Sequence, residues 1–288
     1  MIAGDSDRNP SRTVLVTGAT NGIGRAAALE LARRGAHVIV VGRDPRRTRA
    51  VVAAVEAEQG SAESRVADLS SQAEVRALAT AVLADHARLD VLLNNAGAIF
   101  RDRRLSTDGF EMTFALNHLG YFLLTNLLLD RLIESAPARV VNVASRAQER
   151  GRLDFDDLQN ERNWSMMRAY GDSKLANVMF TAGLARRIDG RGVTTYSMHP
   201  GFVGTGFAAN NGGWLRLGMK LVRPFIRSPE RGADTAVWLS EAPGIEVHNG
   251  GYFVDRRRVD PVPRARDVDA QERLWSVSAE MTGVTVTS

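Results

Sequence analysis

The chain of 288 residues has no cysteine, and among its 37 basic residues only Lys174 and Lys220 are lysines. Without thiols it can form no disulfide, no thiolate metal site and no cysteine nucleophile, which fits a reducing compartment. Aromatic residues are few, at 6% of the chain. The arginine clusters Arg101, Arg103, Arg104 and Arg256, Arg257, Arg258 are not interleaved with them. With a net charge of only +4, these clusters read as solvated loops and not as a nucleic-acid surface. Long apolar runs are missing too: Tyr121 to Leu129 is broken by Thr125 and Asn126 and is too short to span a bilayer. Met1 to Arg12 is polar, carries Pro10 and lacks the apolar core of a signal peptide, so it reads as a disordered tail. His37, His86, His118, His199 and His248 show no ligand spacing, so no metal site is expected. These absences describe a soluble protein without an integral membrane segment.

The scarcity of lysine makes Lys174 informative. It stands four residues after a tyrosine in Tyr170-Gly171-Asp172-Ser173-Lys174, and residues so spaced share one face of a helix. A compact ammonium with movable donors differs from the planar guanidinium used elsewhere in this chain. Beside a phenol, a cation favours the phenolate and lowers a pKa normally near 10. An unimportant pair on a surface helix is the competing reading.

Short β-branched runs alternate with amphipathic helical segments. Strands are expected at Thr13–Thr17, Val38–Val41, Ser64–Ala67, Val91–Leu93, Arg139–Val143, Val193–Met198 and Gly251–Val254. Helices are expected between them, the third capped by Ser70. This alternation implies a parallel sheet covered on both faces, an α/β fold in one domain over residues 13–288. The first strand runs into Thr17-Gly18-Ala19-Thr20-Asn21-Gly22-Ile23-Gly24, which opens the first helix. Glycines permit the tight turn, and the helix start offers unpaired N–H groups to a pyrophosphate.

These features together resemble the short-chain dehydrogenase/reductase family over residues 13 to 254. Thr17 to Gly24 matches its cofactor turn, Asn94-Asn95-Ala96-Gly97 its second cofactor motif, and Asp68 its adenine-contacting acid. Asn117, Ser145, Tyr170 and Lys174 match its catalytic tetrad, and Pro200-Gly201 with Thr205 its nicotinamide loop. The resemblance implies a doubly wound Rossmann-type sheet and an oxidoreductase. Its cofactor contacts would be Gly18, Thr20, Asn21, Gly22, Ile23, Gly24, Arg43, Asp68, Leu69, Asn95, Ala96, Gly97, Tyr170, Lys174, Pro200, Gly201, Val203 and Thr205. Ser145 would polarise a substrate carbonyl and Tyr170 would supply the proton. Asn117 would support a water-linked proton relay, its other reading being a polar residue that bends a core helix. His118 matches no family role and reads as structural or exposed.

The second strand ends Val41-Gly42-Arg43-Asp44. A free ribose 2′-OH is usually read by an acid at this place and a 2′-phosphate by an arginine. Gly42 with Arg43 therefore favours NADP(H) over NAD(H). Asp44, one residue on, is either the helix N-cap or a ribose acceptor. Ser145 and Tyr170 are 25 residues apart, and the added segment from Arg150 to Trp164 resembles the retinol dehydrogenase-like and protochlorophyllide reductase-like branch. That branch implies a small or medium lipophilic substrate. The expected reaction interconverts carbonyl and alcohol, with C=C reduction at the same site or non-catalytic NADP sensing as alternatives. Trp214 to Arg227, within an expected lid near 205–228, is open between a lid, a membrane-surface helix and an oligomer contact. A homodimer or homotetramer fits the family. No counterpart of the animal members' membrane anchor is seen, and the arginine usage resembles a GC-rich bacterial genome, so the expected setting is a bacterial cytoplasm.

Overall fold

The computed structural model of the chain describes residues 12–201 and 227–285. The expected tail up to residue 11, Val203, Thr205 and nearly all of the expected lid lie outside these residues.

Eight strands form one sheet: β1 (Thr13–Thr17), β2 (His37–Gly42), β3 (Ser61–Val66), β4 (Val91–Asn94), β5 (Ala138–Val143), β6 (Val193–His199), β7 (Tyr252–Val254) and β8 (Arg257–Val259). Their order is β3-β2-β1-β4-β5-β6-β7-β8. The first seven run parallel, and β8 returns antiparallel to β7. This is the doubly wound α/β Rossmann fold that the alternating pattern implied. The chain reverses direction across the sheet between β1 and β4, so a crevice opens beyond the carboxyl ends of those strands.

Alternation along the strands assigns the two layers. Val38 and Val40 of β2 face α1 (Gly22–Arg33), α2 (Pro45–Glu56) and α7 (Pro229–Glu241), while Ile39 and Val41 face α3 (Gln72–Asp85) and α5 (Gly120–Glu134). The second layer also holds α6 (Met166–Arg187) and α8 (Val268–Thr282), through Phe180 and Trp275, whose rings stack at 5.6 Å. Each fully buried Leu, Ile or Phe side chain contributes about 1.5–3 kcal/mol.

Several boundaries differ from the sequence reading. Ser71, not Ser70, caps α3 by accepting the Glu74 N–H, because Ser70 is turned onto Asp68. β3 begins at Ser61, earlier than expected, since its polar residues hid the strand: none is fully buried. The edge strand β8 was not expected at all, because Arg257 and Arg258 are exposed and show no apolar alternation. The helix Met112–Phe114 (α4) continues through a π-helical turn at Ala115–Leu119 into α5. This continuous run, Met112–Glu134, is long and apolar enough to cross a membrane by composition, which the shorter stretch at Tyr121 to Leu129 did not suggest. Because 72% of its most apolar window is buried inside the protein, it is accounted for as a core helix.

Candidate functional site

The glycine turn is shaped by backbone packing. Gly18 and Gly22 take positive φ values of 64° and 51°, a region that other residues rarely enter. A Cβ on Gly18 would stand 2.7 Å from Ala96 Cα, and one on Gly24 would stand 2.3 Å from Asn95 Nδ2. Asn95 itself donates from Nδ2 to the Thr17 carbonyl at 2.8 Å. The Thr17 hydroxyl accepts the N–H groups of Asn95 and Ala96 at 2.8 and 3.0 Å. Asn95 thus locks the two expected cofactor motifs together. At the head of α1, Asn21 caps no N–H with its side chain and the first turn has no acid. Its donors are open to an anion.

The next helix is closed. Asp44 accepts from the N–H groups of Arg46 and Arg47 at 2.9 and 3.2 Å, which caps α2 and holds its carboxyl below its usual range. Of the two readings of Asp44, the cap is the one in the structure. Gly42 is enclosed: a Cβ there would meet Thr20 Cγ2 at 2.4 Å and Thr48 Cγ2 at 3.1 Å. Thr20 therefore fills the space an acidic side chain would need, while Arg43 is exposed beside it. After β3, Asp68 accepts from the Ser70 N–H and hydroxyl at 2.9 and 2.7 Å, and the adjacent Leu69 is buried.

The four expected catalytic residues converge near the carboxyl ends of β4 and β5. The π turn swings Asn117 inward, where Oδ1 accepts the Ala98 N–H at 2.9 Å and Nδ2 donates to the Ala98 carbonyl and to Ser173 Oγ, each at 3.0 Å. Of the two readings of Asn117, the polar residue at a bend in a core helix is the one seen directly. Lys174, 3% exposed, donates from Nζ to the Val143 carbonyl at 2.8 Å. That Nζ lies 5.8 Å from the centre of the Tyr170 ring, and a Cβ on Gly97 would lie 3.5 Å from it and 3.1 Å from Asn117 Oδ1. Ser145 follows β5, accepts the Ala147 N–H at 3.2 Å and hydrogen-bonds Tyr170.

The electrostatics differ from the sequence expectation. Burial pushes the Tyr170 phenol above its ordinary value and the Ser145 hydrogen bond only partly opposes this. Burial also pulls Lys174 down to about 7. Desolvation, which penalises the charged form of both groups, is the largest cause for each. Pro200 and Gly201 follow β6, and Gly201, at φ 82°, packs against the Arg227 side chain. His118 is fully buried, reaches Ser278 Oγ at 2.8 Å and is held neutral by burial, down to about 4. Of the two expected readings, structural or exposed, exposure is the one its burial excludes.

Two contributors escaped the sequence reading. Asp172, between Tyr170 and Lys174, accepts the Arg152 N–H at 2.6 Å and Asn160 Nδ2 at 3.2 Å, tying the added segment to α6. Burial raises its pKa. Its signal was a carboxylate inside the tyrosine–lysine interval. Asn142, a polar residue within the apolar strand β5, accepts from Asn94 Nδ2 at 2.9 Å and donates to Thr181 Oγ1 at 3.0 Å. It joins β4, β5 and α6 beneath the site.

The sequence matches the short chain dehydrogenase family over residues 12–215. The chain belongs to this family. It is an oxidoreductase of the retinol dehydrogenase-like kind. Retinol dehydrogenase 12 of Mus musculus is 43% identical to it over 277 residues, 96% of this chain and 87% of the mouse protein. Retinol dehydrogenase 14 of Homo sapiens is 40% identical over 305 residues, 98% and 89% of the two chains. Among solved structures, an uncharacterized protein from Mycobacterium paratuberculosis aligns with a TM-score of 0.78 at 33% identity, over 96% of this chain and 95% of that one. The 3-oxoacyl (acyl-carrier-protein) reductase of Agrobacterium tumefaciens, solved with NADP bound, aligns with a TM-score of 0.70 at 28% identity, over 84% and 92%. The glycine turn, the uncapped α1 and the Tyr170 cluster in this short-chain dehydrogenase suit a nicotinamide dinucleotide.

Proposed function

We propose that this family member is an NADP(H)-dependent oxidoreductase that interconverts a carbonyl and an alcohol on a small or medium lipophilic molecule. The observation that carries the reading is the Tyr170 cluster: its hydrogen bond with Ser145, Lys174 Nζ 5.8 Å from its ring, and Gly97 alongside. Ser145 and Tyr170 are then the two donors to the substrate oxygen, and Tyr170 is the proton donor in reduction. Since burial holds the phenol above its ordinary pKa, it starts protonated at neutral pH, as a general acid must. Lys174 balances the charge that develops on the phenol when its proton leaves. Asn117 fixes the Ala98 backbone and the Ser173 hydroxyl beside them.

A bound nicotinamide supplies or accepts the hydride. Gly18, Thr20, Asn21, Gly22, Ile23 and Gly24 would hold its pyrophosphate, Asp68 and Leu69 the adenine, and Ala96, Gly97, Tyr170 and Lys174 the nicotinamide ribose. Pro200 and Gly201, with Val203 and Thr205 beyond the described residues, would border the ring. Arg43 favours a 2′-phosphate, because Gly42 offers no acid and Asp44 is engaged as a helix cap. Solved relatives with NADP bound support the same preference. A lipophilic substrate is supported by the retinol dehydrogenases among its relatives. The test is consumption of NADPH and NADH with a panel of apolar aldehydes, ketones and enones. Turnover of aldehydes or ketones with NADPH is expected. Activity on enones alone would move the reaction to C=C reduction, and cofactor binding without any turnover would sink the enzymatic reading.

A further inference from the structure

At the opposite edge of the sheet from Tyr170, two histidines and a glutamate meet. His37 opens β2, Glu63 lies in β3 and His86 directly follows α3. His37 pairs with Ser61 and Ile39 with Glu63 across the parallel strands, so the side chains of His37, Ser61 and Glu63 stand on one face of the sheet. α3 covers that face and delivers His86 to it. One nitrogen from each histidine and one oxygen of Glu63 lie within 4.8 Å of one another, the single such trio of potential metal ligands among the described residues. The imidazole rings are 5.7 Å apart.

We propose that His37, Glu63 and His86 form a binding site for one borderline divalent transition ion of the zinc, cobalt or nickel type. Two imidazoles and one carboxylate form a donor set that such ions prefer, whereas magnesium and calcium prefer oxygen throughout. Around a tetrahedral ion with bonds of about 2.0–2.1 Å, neighbouring ligand atoms stand roughly 3.3 Å apart. His86 Nε2 and Glu63 Oε1 are already 2.9 Å apart, so they need to open by a few tenths of an ångström. His37, only partly buried, has to close the longer gap by turning inward.

The surroundings help in two ways. Ser61 Oγ lies 2.7 Å from His37 Nδ1, so it can take that N–H and leave the Nε2 lone pair for the ion, as an outer hydrogen bond to a ligating imidazole commonly does. Arg65 contacts Glu63 Oε1 through two nitrogens, at 2.9 and 3.0 Å, but also holds Asp85 at 2.6 Å. It can therefore yield Glu63 to the ion while keeping a carboxylate partner. Three protein ligands leave a coordination position for water. The ion would clip β2, β3 and the end of α3 together at the far side of the molecule from the Tyr170 cluster.

The experiment is calorimetric titration of zinc chloride into tag-free, chelator-treated full-length protein, paired with thermal unfolding. One equivalent should bind with a Kd of about 10 μM or tighter, and zinc should raise the unfolding midpoint because it binds the folded chain. His37→Asn and His86→Asn should each weaken binding at least about tenfold and abolish the thermal shift. His248→Asn, outside the trio, should leave both unchanged. No saturable binding below about 1 mM, or binding indifferent to both His37→Asn and His86→Asn, would overturn the proposal.

Discussion

The glycine turn and the tyrosine cluster occupy the same edge of the sheet, yet they are governed by different physics. The turn from Thr17 to Gly24 is specified by contact: Asn95 and Ala96 leave no room for a Cβ on Gly18 or Gly24. The cluster around Tyr170 is specified by burial, which raises the phenol and lowers Lys174 to about 7. Two neighbouring helix starts make the same point in small. α1 presents uncapped donors, whereas α2 is closed by Asp44. One end keeps its donors open for an anion, and the other spends its donors on its own chain. Changes near the turn should therefore act on cofactor affinity and be indifferent to pH. Changes in the cluster should act on turnover and follow pH.

The strongest break in that contrast is Tyr170→Phe. It should lower kcat by about 10²–10⁴-fold while the dissociation constant for NADPH, measured by fluorescence quenching, stays nearly unchanged. Equal losses in both would merge the two regions into one. Next is Arg43→Ala, which should weaken NADPH by roughly ten- to a hundredfold and spare NADH. Gly42→Asp alone should bind both cofactors poorly because Thr20 obstructs the new side chain, and adding Thr20→Ser should restore NADH.

A smaller effect concerns pH. The folded chain releases the Lys174 proton near 7, whereas the unfolded chain keeps it to about 10.5. Between these values the unfolded state binds more protons, so this group makes stability rise with pH, by at most about 1.4 kcal/mol per pH unit. Denaturant unfolding of the unliganded protein between pH 7.5 and 9.5 should show this rise, and Lys174→Met should flatten it. An identical slope in the variant would mean the lysine is not desolvated. The smallest expected change is Asp44→Ala, which should lower the unfolding midpoint by a few degrees through the lost cap. It should leave the NADPH-to-NADH preference intact. A shift in that preference would return Asp44 to the cofactor site.

Most strands, the glycine turn and the Tyr170–Lys174 pair were legible because each rests on local chemistry: β-branched runs, a turn needing positive φ, and an i to i+4 pair on one helix. Asn117 and Ser145 were named through the family resemblance, and the order of the strands across the sheet came only with the structure. Elements whose residues carry no apolar alternation were not legible. β8 is formed by exposed arginines paired to β7, and β3 by half-buried polar residues paired to β2. Their strand character comes from the neighbour and not from their own sequence.

The same divide runs through the chemistry. Sequence alone named the candidate site residues and placed Arg43 after a glycine at the end of β2. Only the tertiary structure decided that Asp44 is a cap, that Thr20 occupies the space above Gly42, and that Asp172 anchors the added segment. It also decided the sign of the Tyr170 shift and brought His37, Glu63 and His86 together from three elements. Spacing along a chain fixes what shares a helix face, but desolvation and contacts between distant strands exist only once the sheet has formed.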